Sequence, residues 1–218
     1  METVSVQKIK NIIFDYGNVI FEIDFKKAQD SLLQLGISDV QNFFAHKAHN
    51  EIFNDFEIAA ISPGQFRDKI RLAANNKMLI DQQIDDAWNS LLIGVPDLEI
   101  HNVLLKAKER YRTFLLSNNN QIHYDWIVSY LKKELNVSDN NHLFERTYYS
   151  QQMMLRKPNI EIFEKVLLEN NLIAEETLFI DDSPQHIEGA KRAGLQTLLM
   201  DRNPRYLEQF LKSHDLLL

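Results

Sequence analysis

The sequence predicts an α/β fold: a parallel sheet sandwiched by helices, with a cap of four helices inserted after the first strand. Three observations predict it. Short unbroken apolar runs, Ile12-Ile13-Phe14 and Leu178-Phe179-Ile180, end abruptly in aspartate, as strands buried on both faces do at the carboxyl edge of a sheet. From Pro96 onward such runs alternate with helical spacings of about ten to fifteen residues, the rhythm of right-handed βαβ units. Between Asp24 and Gly94 the spacing stays helical, with no strand between the helices, which sets that stretch apart.

In chain order, the first strand leads into Asp15-Tyr16-Gly17-Asn18-Val19-Ile20. Phe25, Ala28, Leu32 and Leu35 then recur at helical spacing up to Gly36, a C-terminal glycine. Asp39 opens a second helix carrying Phe43, Phe44, Ile52, Phe53 and Phe56, with a break near His49-Asn50. Ser62-Pro63 is an N-cap with proline at the first helical position, ahead of Phe66, Ile70 and Leu72-Ala73. Asp81 starts the fourth helix, through Ile84, Ala87-Trp88 and Leu91-Leu92, with Gly94 as its stop. These spans set the expected boundaries: residues 1–22 plus 95–218 form the core, and 23–94 the cap.

The core continues with a helix from Asp97 to Glu109 and the strand Arg112 to Ser117. A helix follows with Ile122, Trp126-Ile127 and Tyr130-Leu131 on one face. Next come a strand from Arg146 to Tyr149, a loop through Met153-Met154 and a helix opened by Pro158. The strand Thr177 to Ile180 ends in Asp181-Asp182. Ser183-Pro184 caps a helix that closes at Gly194, Thr197 to Met200 is the last strand, and a terminal helix runs toward Leu218.

Composition bounds the function. The chain has 218 residues, 44% of them hydrophobic, enough for one α/β core with an inserted domain. A net charge of −7 without acidic blocks argues against a nucleic-acid partner. The absence of cysteine excludes disulfides, thiol catalysis and cysteine metal sites. No apolar run reaches the ~18 residues of a membrane span, and the first ten residues have no apolar segment of a signal peptide. The expectation is a cytoplasmic monomer or homodimer with no membrane or nucleic-acid partner.

Four polar points fall at strand ends or just before helices: Asp15, Ser117, Lys157 and the pair Asp181-Asp182. Singly each has an ordinary reading, as a turn residue, a helix cap or a solvated lysine, with Asn118, Asn119 and Asn120 as loop residues. Together they supply what phosphoryl transfer through an aspartyl-phosphate needs. That chemistry takes a carboxylate nucleophile, acidic groups for a divalent cation, and a hydroxyl, backbone N–H groups and a cation for the phosphate oxygens.

The order Phe14-Asp15, Leu116-Ser117-Asn118, Arg156-Lys157-Pro158 and Phe179-Ile180-Asp181-Asp182 resembles the four motifs of the haloacid dehalogenase-like (HAD) hydrolase superfamily. The helical insert stands where members with a C1-type cap have theirs. With Glu22-Ile23-Asp24-Phe25 and Ile187-Glu188-Gly189-Ala190, the chain is similar to the α-D-glucose-1-phosphate phosphatase branch. The resemblance implies a Rossmann-like core and a Mg²⁺-dependent phosphatase acting on a small phosphorylated substrate, such as a hexose 1-phosphate. It also implies roles. Asp15 is the nucleophile and a metal ligand, with the Gly17 carbonyl and Asp181 or Asp182 completing the protein's part of the metal site. Ser117 and the Asn118 N–H bind the phosphoryl group, and Lys157 neutralises it together with Asp15.

One position departs from the pattern. Most phosphatases of this superfamily have a second aspartate two residues after the nucleophile, as general acid and base; here it is Gly17. Loss of such a group typically costs about 10²–10⁴-fold in rate. The branch resembled here also has glycine there, and an anomeric leaving oxygen needs less protonation. Asp24, His123 and Glu22 are substitutes by position alone. Two alternatives follow: a 2-haloacid dehalogenase-type hydrolase, and a catalytically weak protein that binds a phosphorylated ligand or a partner. Of the other residues, His46 and His49 read as a solvated helix face, His186 as a group that orients a carboxylate or packs, and Trp88 as cap core or cleft wall.

Overall fold

The computed structural model describes residues 8–37 and 51–218. Seven strands are described: β1 (Asn11–Phe14), β2 (Glu22–Ile23), β3 (Leu92–Gly94), β4 (Arg112–Ser117), β5 (Arg146–Tyr149), β6 (Thr177–Asp181) and β7 (Gln196–Leu199). Five of them form one parallel sheet in the order β5-β4-β1-β6-β7. The helices are α1 (Phe25–Gln34), α2 (Glu51–Glu57), α3 (Pro63–Ala73), α4 (Asp81–Asn89), α5 (Glu99–Arg110), α6 (Gln121–Leu135), α7 (Ser150–Met153), α8 (Ile160–Asn170), α9 (Pro184–Arg192) and α10 (Leu207–Ser213).

The unbroken apolar runs have a simple cause. β1 lies between β4 and β6, with Ile13 level with Phe114 on one side and Phe179 on the other. Side chains alternate between faces, and both faces are covered. Ile13, Phe114, Leu116 and Phe179 pack under α8 and α9 through Ile162, Phe163, Val166 and Ile187. Ile12, Phe14, Leu115, Leu178 and Ile180 face the other way, into one apolar cluster with α5, α6 and α10. The cap residues Phe56, Phe66, Ile70, Ile84 and Trp88 belong to that same cluster.

Aromatic stacking holds the cap. Phe56 lies on Phe66 with ring centroids 4.4 Å apart, and Phe53 on Trp88 at 4.8 Å. Trp88 then stacks on His123 of α6 at 4.6 Å, joining the cap to the core. Ser62 and Gln65 close a capping box at the start of α3, as the Ser-Pro signal predicts. Arg67 of α3 grips Asp85 of α4 with two hydrogen bonds of 2.7 and 2.8 Å.

Several expectations need correction. The stretch from Asp24 to Gly94 is not free of strands: the fourth helix ends at Asn89 instead of running through Leu91-Leu92 to Gly94, and Leu92–Gly94 is β3, which pairs antiparallel with β2, Glu22 level with Gly94. Strands of two and three residues are too short to show an alternation. The helix expected from Pro158 begins at Ile160, and the expected loop at Met153-Met154 is α7 with Met154 in the left-handed region at φ 56°. The terminal helix is short, Leu207–Ser213. The beginning of the helix expected from Asp39, with Phe43, Phe44, His46 and His49, lies outside the described residues; Ile52, Phe53 and Phe56 lie in α2. Among the described residues no helix is long and apolar enough to cross a membrane.

Candidate active site

The topology brings the expected residues together at one edge. Asp15 follows β1 directly, its N–H bonded to the Ile180 carbonyl of β6. Ser117 ends the neighbouring β4 and Asp181 ends the neighbouring β6. Lys157 comes from the segment between α7 and α8 and is fully buried, as is Asp181. Its three donors find three acceptors: Asp15 Oδ1 at 2.5 Å, Asp181 Oδ2 at 2.7 Å and the Leu116 carbonyl at 2.9 Å. The Asn118 side chain clamps the backbone of the same lysine, accepting from its N–H at 2.9 Å and donating to its carbonyl at 3.0 Å.

The two tandem aspartates differ. Asp181 accepts from the Ser183 N–H at 2.8 Å, from Lys157, and from His186 Nδ1 at 3.0 Å. Asp182 accepts from the Asn18 amide at 3.1 Å, and Asn18, at φ 53°, also accepts from the Ile23 N–H. The turn that holds Gly17 is thereby tied to the tandem pair. Ser117 Oγ makes only a long contact, 3.4 Å, to the Asn118 carbonyl, which leaves its hydroxyl available to a ligand.

Charge at this site is unbalanced. Three carboxylates, Asp15, Asp181 and Asp182, bring their oxygens within 4.8 Å of one another, and one ammonium, that of Lys157, pairs with the first two. Burial pushes the Asp15 carboxyl up to about 8 against the pull of Lys157, and the charges of Asp181 and Asp182 add to the rise. Burial opposes the charge of Asp181 too, but Lys157 and His186 outweigh it and hold that carboxyl below the usual range. Burial and then Asp181 raise Asp182. Burial works against the Lys157 charge, yet Asp15 and Asp181 lift its pKa above the ordinary value. Lys157 thus compensates Asp181 and leaves Asp15 short of positive charge. Hard oxygen donors that outnumber the single ammonium suit a small divalent cation.

A cleft of about 100 Å³ opens beside these residues over Ser117 to Asn120. Gly17, Tyr16 and Ile23 border it from the core, Trp88 from α4, and Glu57 from α2. A larger hollow lies at the opposite, amino ends of β1 and β4, around Lys10, Lys108 and Arg112, away from all of this chemistry.

Of the residues considered as proton donors in place of Gly17, His123 lines the cleft, but both ring nitrogens are engaged. Nδ1 meets the Asn120 amide at 3.0 Å and Nε2 the Trp88 carbonyl at 3.2 Å. Burial drives its pKa down to about 4, so the ring is neutral, with the proton on Nε2 by the pairing. Asp24 caps α1, accepting from the Lys26 N–H, and Glu22 accepts from Asn203. Neither borders the cleft.

Sequence reasoning missed the Asn118 side chain, the Asn18–Asp182 bond and the contact of Arg156 with Glu57. Asparagines next to glycine or to one another read as turn residues, and no local spacing reveals partners 39, 99 and 164 positions away. Gly189 was noticed only as part of a motif. A Cβ there would lie 2.4 Å from the Pro158 carbonyl oxygen, so α9 packs directly on the backbone of the residue after Lys157. Gly189→Ala is expected to destabilise the protein by about 1–3 kcal/mol through overpacking, read from denaturant melts, and to lower activity by displacing Lys157.

Comparison with known proteins followed the geometry. The family described as haloacid dehalogenase-like hydrolase matches residues 96–200. A D-ribitol-5-phosphate phosphatase of Bacteroides thetaiotaomicron is 30% identical over 191 residues, 87% of this chain and 90% of that protein. A HAD family enzyme of the same organism, solved in complex with magnesium and inorganic phosphate, is 34% identical with a TM-score of 0.78, covering 88% of this chain and 93% of its own. A structure described as a predicted HAD-like family hydrolase from Porphyromonas gingivalis superposes with a TM-score of 0.83 at 28% identity, over 94% of this chain and 98% of its own.

Proposed function

The chain belongs to the haloacid dehalogenase-like hydrolases, and from that membership we propose that it is a Mg²⁺-dependent phosphatase of a small phosphorylated sugar or polyol. The observation that carries the reading is the cluster of three carboxylates, two of them bonded to one buried lysine, beside a weakly engaged serine hydroxyl at the carboxyl edge of the sheet. A phosphate brought to Asp15 would add more negative charge to a site already in excess. Asp15, Asp182 and the Gly17 carbonyl would hold Mg²⁺. Asp181, whose oxygens already accept from Lys157, Ser183 and His186, would mainly orient the lysine. When bound, the cation supplies the positive charge that lets one anion attack another.

In this mechanism an Asp15 oxygen attacks phosphorus and the bond from phosphorus to the leaving oxygen breaks. Ser117 Oγ and the Asn118 N–H hold the phosphoryl oxygens, and Lys157 stabilises charge on both partners. Water then opens the acyl phosphate and releases inorganic phosphate, which returns the Asp15 carboxylate. Gly17 cannot pass a proton to the leaving oxygen, which takes it from solvent, and the acetal-like oxygen of a sugar 1-phosphate needs that help least. The doubled Asp181-Asp182, which with Asp15 gathers carboxylate oxygens as a cation site does, favours phosphoryl transfer over metal-free attack on a carbon–halogen bond.

The test is phosphate release from sugar 1-phosphates, sugar and polyol terminal phosphates and p-nitrophenyl phosphate. Turnover should disappear on chelation and return with added Mg²⁺. Magnesium binding by calorimetry with no release from any ester would instead favour the ligand-binding alternative that Gly17 raises.

A further inference from the structure

The cleft that receives the leaving group carries one charged side chain. Among the residues that border it, most of the wall is aromatic or aliphatic, through Phe21, Ile23, Phe25 and Trp88. The asparagine side chains on its floor are already committed. Asn118 is bonded to the Lys157 backbone, Asn119 to the Asn120 N–H, and Asn120 to His123. His123 is neutral and used at both nitrogens. Glu57 remains.

Glu57 ends α2, the cap helix that contacts α7 of the core. Arg156, immediately before Lys157, donates from Nε to Glu57 Oε2 at 2.8 Å, and both side chains are three-quarters buried. Glu57 borders the cleft whereas Arg156 does not, so the guanidinium supports the carboxylate from outside the cleft. Its second oxygen, Oε1, accepts no hydrogen bond from a described residue. A carboxylate only accepts hydrogen bonds, and a wall of low polarity strengthens whatever charge it meets. A hydroxyl group satisfies such an oxygen; a carboxylate or a second phosphate is repelled by it.

We infer that Glu57 determines specificity by accepting a hydrogen bond from a hydroxyl of the leaving group, which restricts the enzyme to phosphomonoesters of neutral, polyhydroxylated alcohols. The inference rests on the phosphatase reading and adds the residue that selects a hydroxylated, uncharged leaving group. Binding energy of this kind discriminates strongly, because a substrate lacking the hydroxyl leaves a partly buried acceptor unpaired.

The experiment compares kcat/KM for glycerol phosphate and phosphoglycerate, which differ by a hydroxymethyl group against a carboxylate, in wild type, Glu57→Gln and Glu57→Asp. p-Nitrophenyl phosphate is assayed alongside. Wild type should prefer glycerol phosphate at least tenfold. Glu57→Gln should shrink the preference at least fivefold, mainly through KM, and Glu57→Asp should keep most of it. Turnover of both esters with equal efficiency by wild type, or a ratio unmoved in Glu57→Gln, overturns the assignment and leaves the phosphatase reading standing. No turnover of any ester, p-nitrophenyl phosphate included, overturns both.

Discussion

Asp15→Asn is expected to lower phosphate release by about 10⁴–10⁶-fold, the scale on which loss of a covalent nucleophile is felt. The effect should fall on kcat, since the phosphate-binding groups, Ser117, the Asn118 N–H and Lys157, stay in place. The same variant makes a second prediction about stability in chelator. Burial lifts the Asp15 pKa from 3.8 to about 8, so the folded protein keeps a proton that the unfolded chain gives up. Folding then binds more protons than unfolding across that interval, and stability falls as pH rises from about 4 to about 8. Asparagine has no proton to lose, so denaturant melts of Asp15→Asn without metal should lack this decline. A parallel decline in both proteins would place its origin elsewhere.

Lys157→Met should give the largest loss of stability. The wild-type lysine is fully buried and spends all three N–H bonds on Asp15, Asp181 and the Leu116 carbonyl. Methionine fills similar space but strands two carboxylates and a carbonyl, and removing one partner of a buried pair costs about 3–5 kcal/mol. The deficit should shrink in acid, where the stranded carboxyls take up protons. Added Mg²⁺ should restore part of it by supplying the missing positive charge. A deficit indifferent to both pH and Mg²⁺ would point to packing rather than charge. Activity should be lost as well, because the phosphoryl group and Asp15 would face each other without the cation between them.

Much of the fold was legible because it rests on local patterns. A strand covered on both faces must be apolar throughout, so Ile12 to Phe14, Arg112 to Ser117 and Thr177 to Asp181 announce themselves. Start signals act within one turn of helix: Ser62 closes a capping box ahead of Pro63, and at Ser183-Pro184 the proline opens the helix although the serine side chain makes no capping bond. Asp15, Ser117 and Asp181 stood out for the same reason, each at the end of an apolar run, whereas Lys157 stood out by its place before a proline and a helix. What stayed hidden depends on distance. β2 and β3 exist only because Glu22 and Gly94 meet in space, and two residues carry no periodicity. Asn118 earned notice for its N–H, whereas its side chain, bonded to a residue 39 positions on, had no local mark. Gly17 could be read as a missing acid, but not that a Cβ there would sit 3.0 Å from the end of Ile23.

The pairing of β2 with β3 bears on how such proteins diversify. It fastens the point where the chain leaves the core beside the point where it returns, one strand spacing apart, or about 4.8 Å. The helices between these two points are nevertheless not independent of the core: Phe56, Phe66, Ile70, Ile84 and Trp88 share its apolar cluster, Trp88 stacks on His123, and Glu57 pairs with Arg156 beside Lys157. Because the same helices bring Glu57 and Trp88 to the cleft, a change in their sequence that alters the cleft must also keep the contacts that seat them on the core.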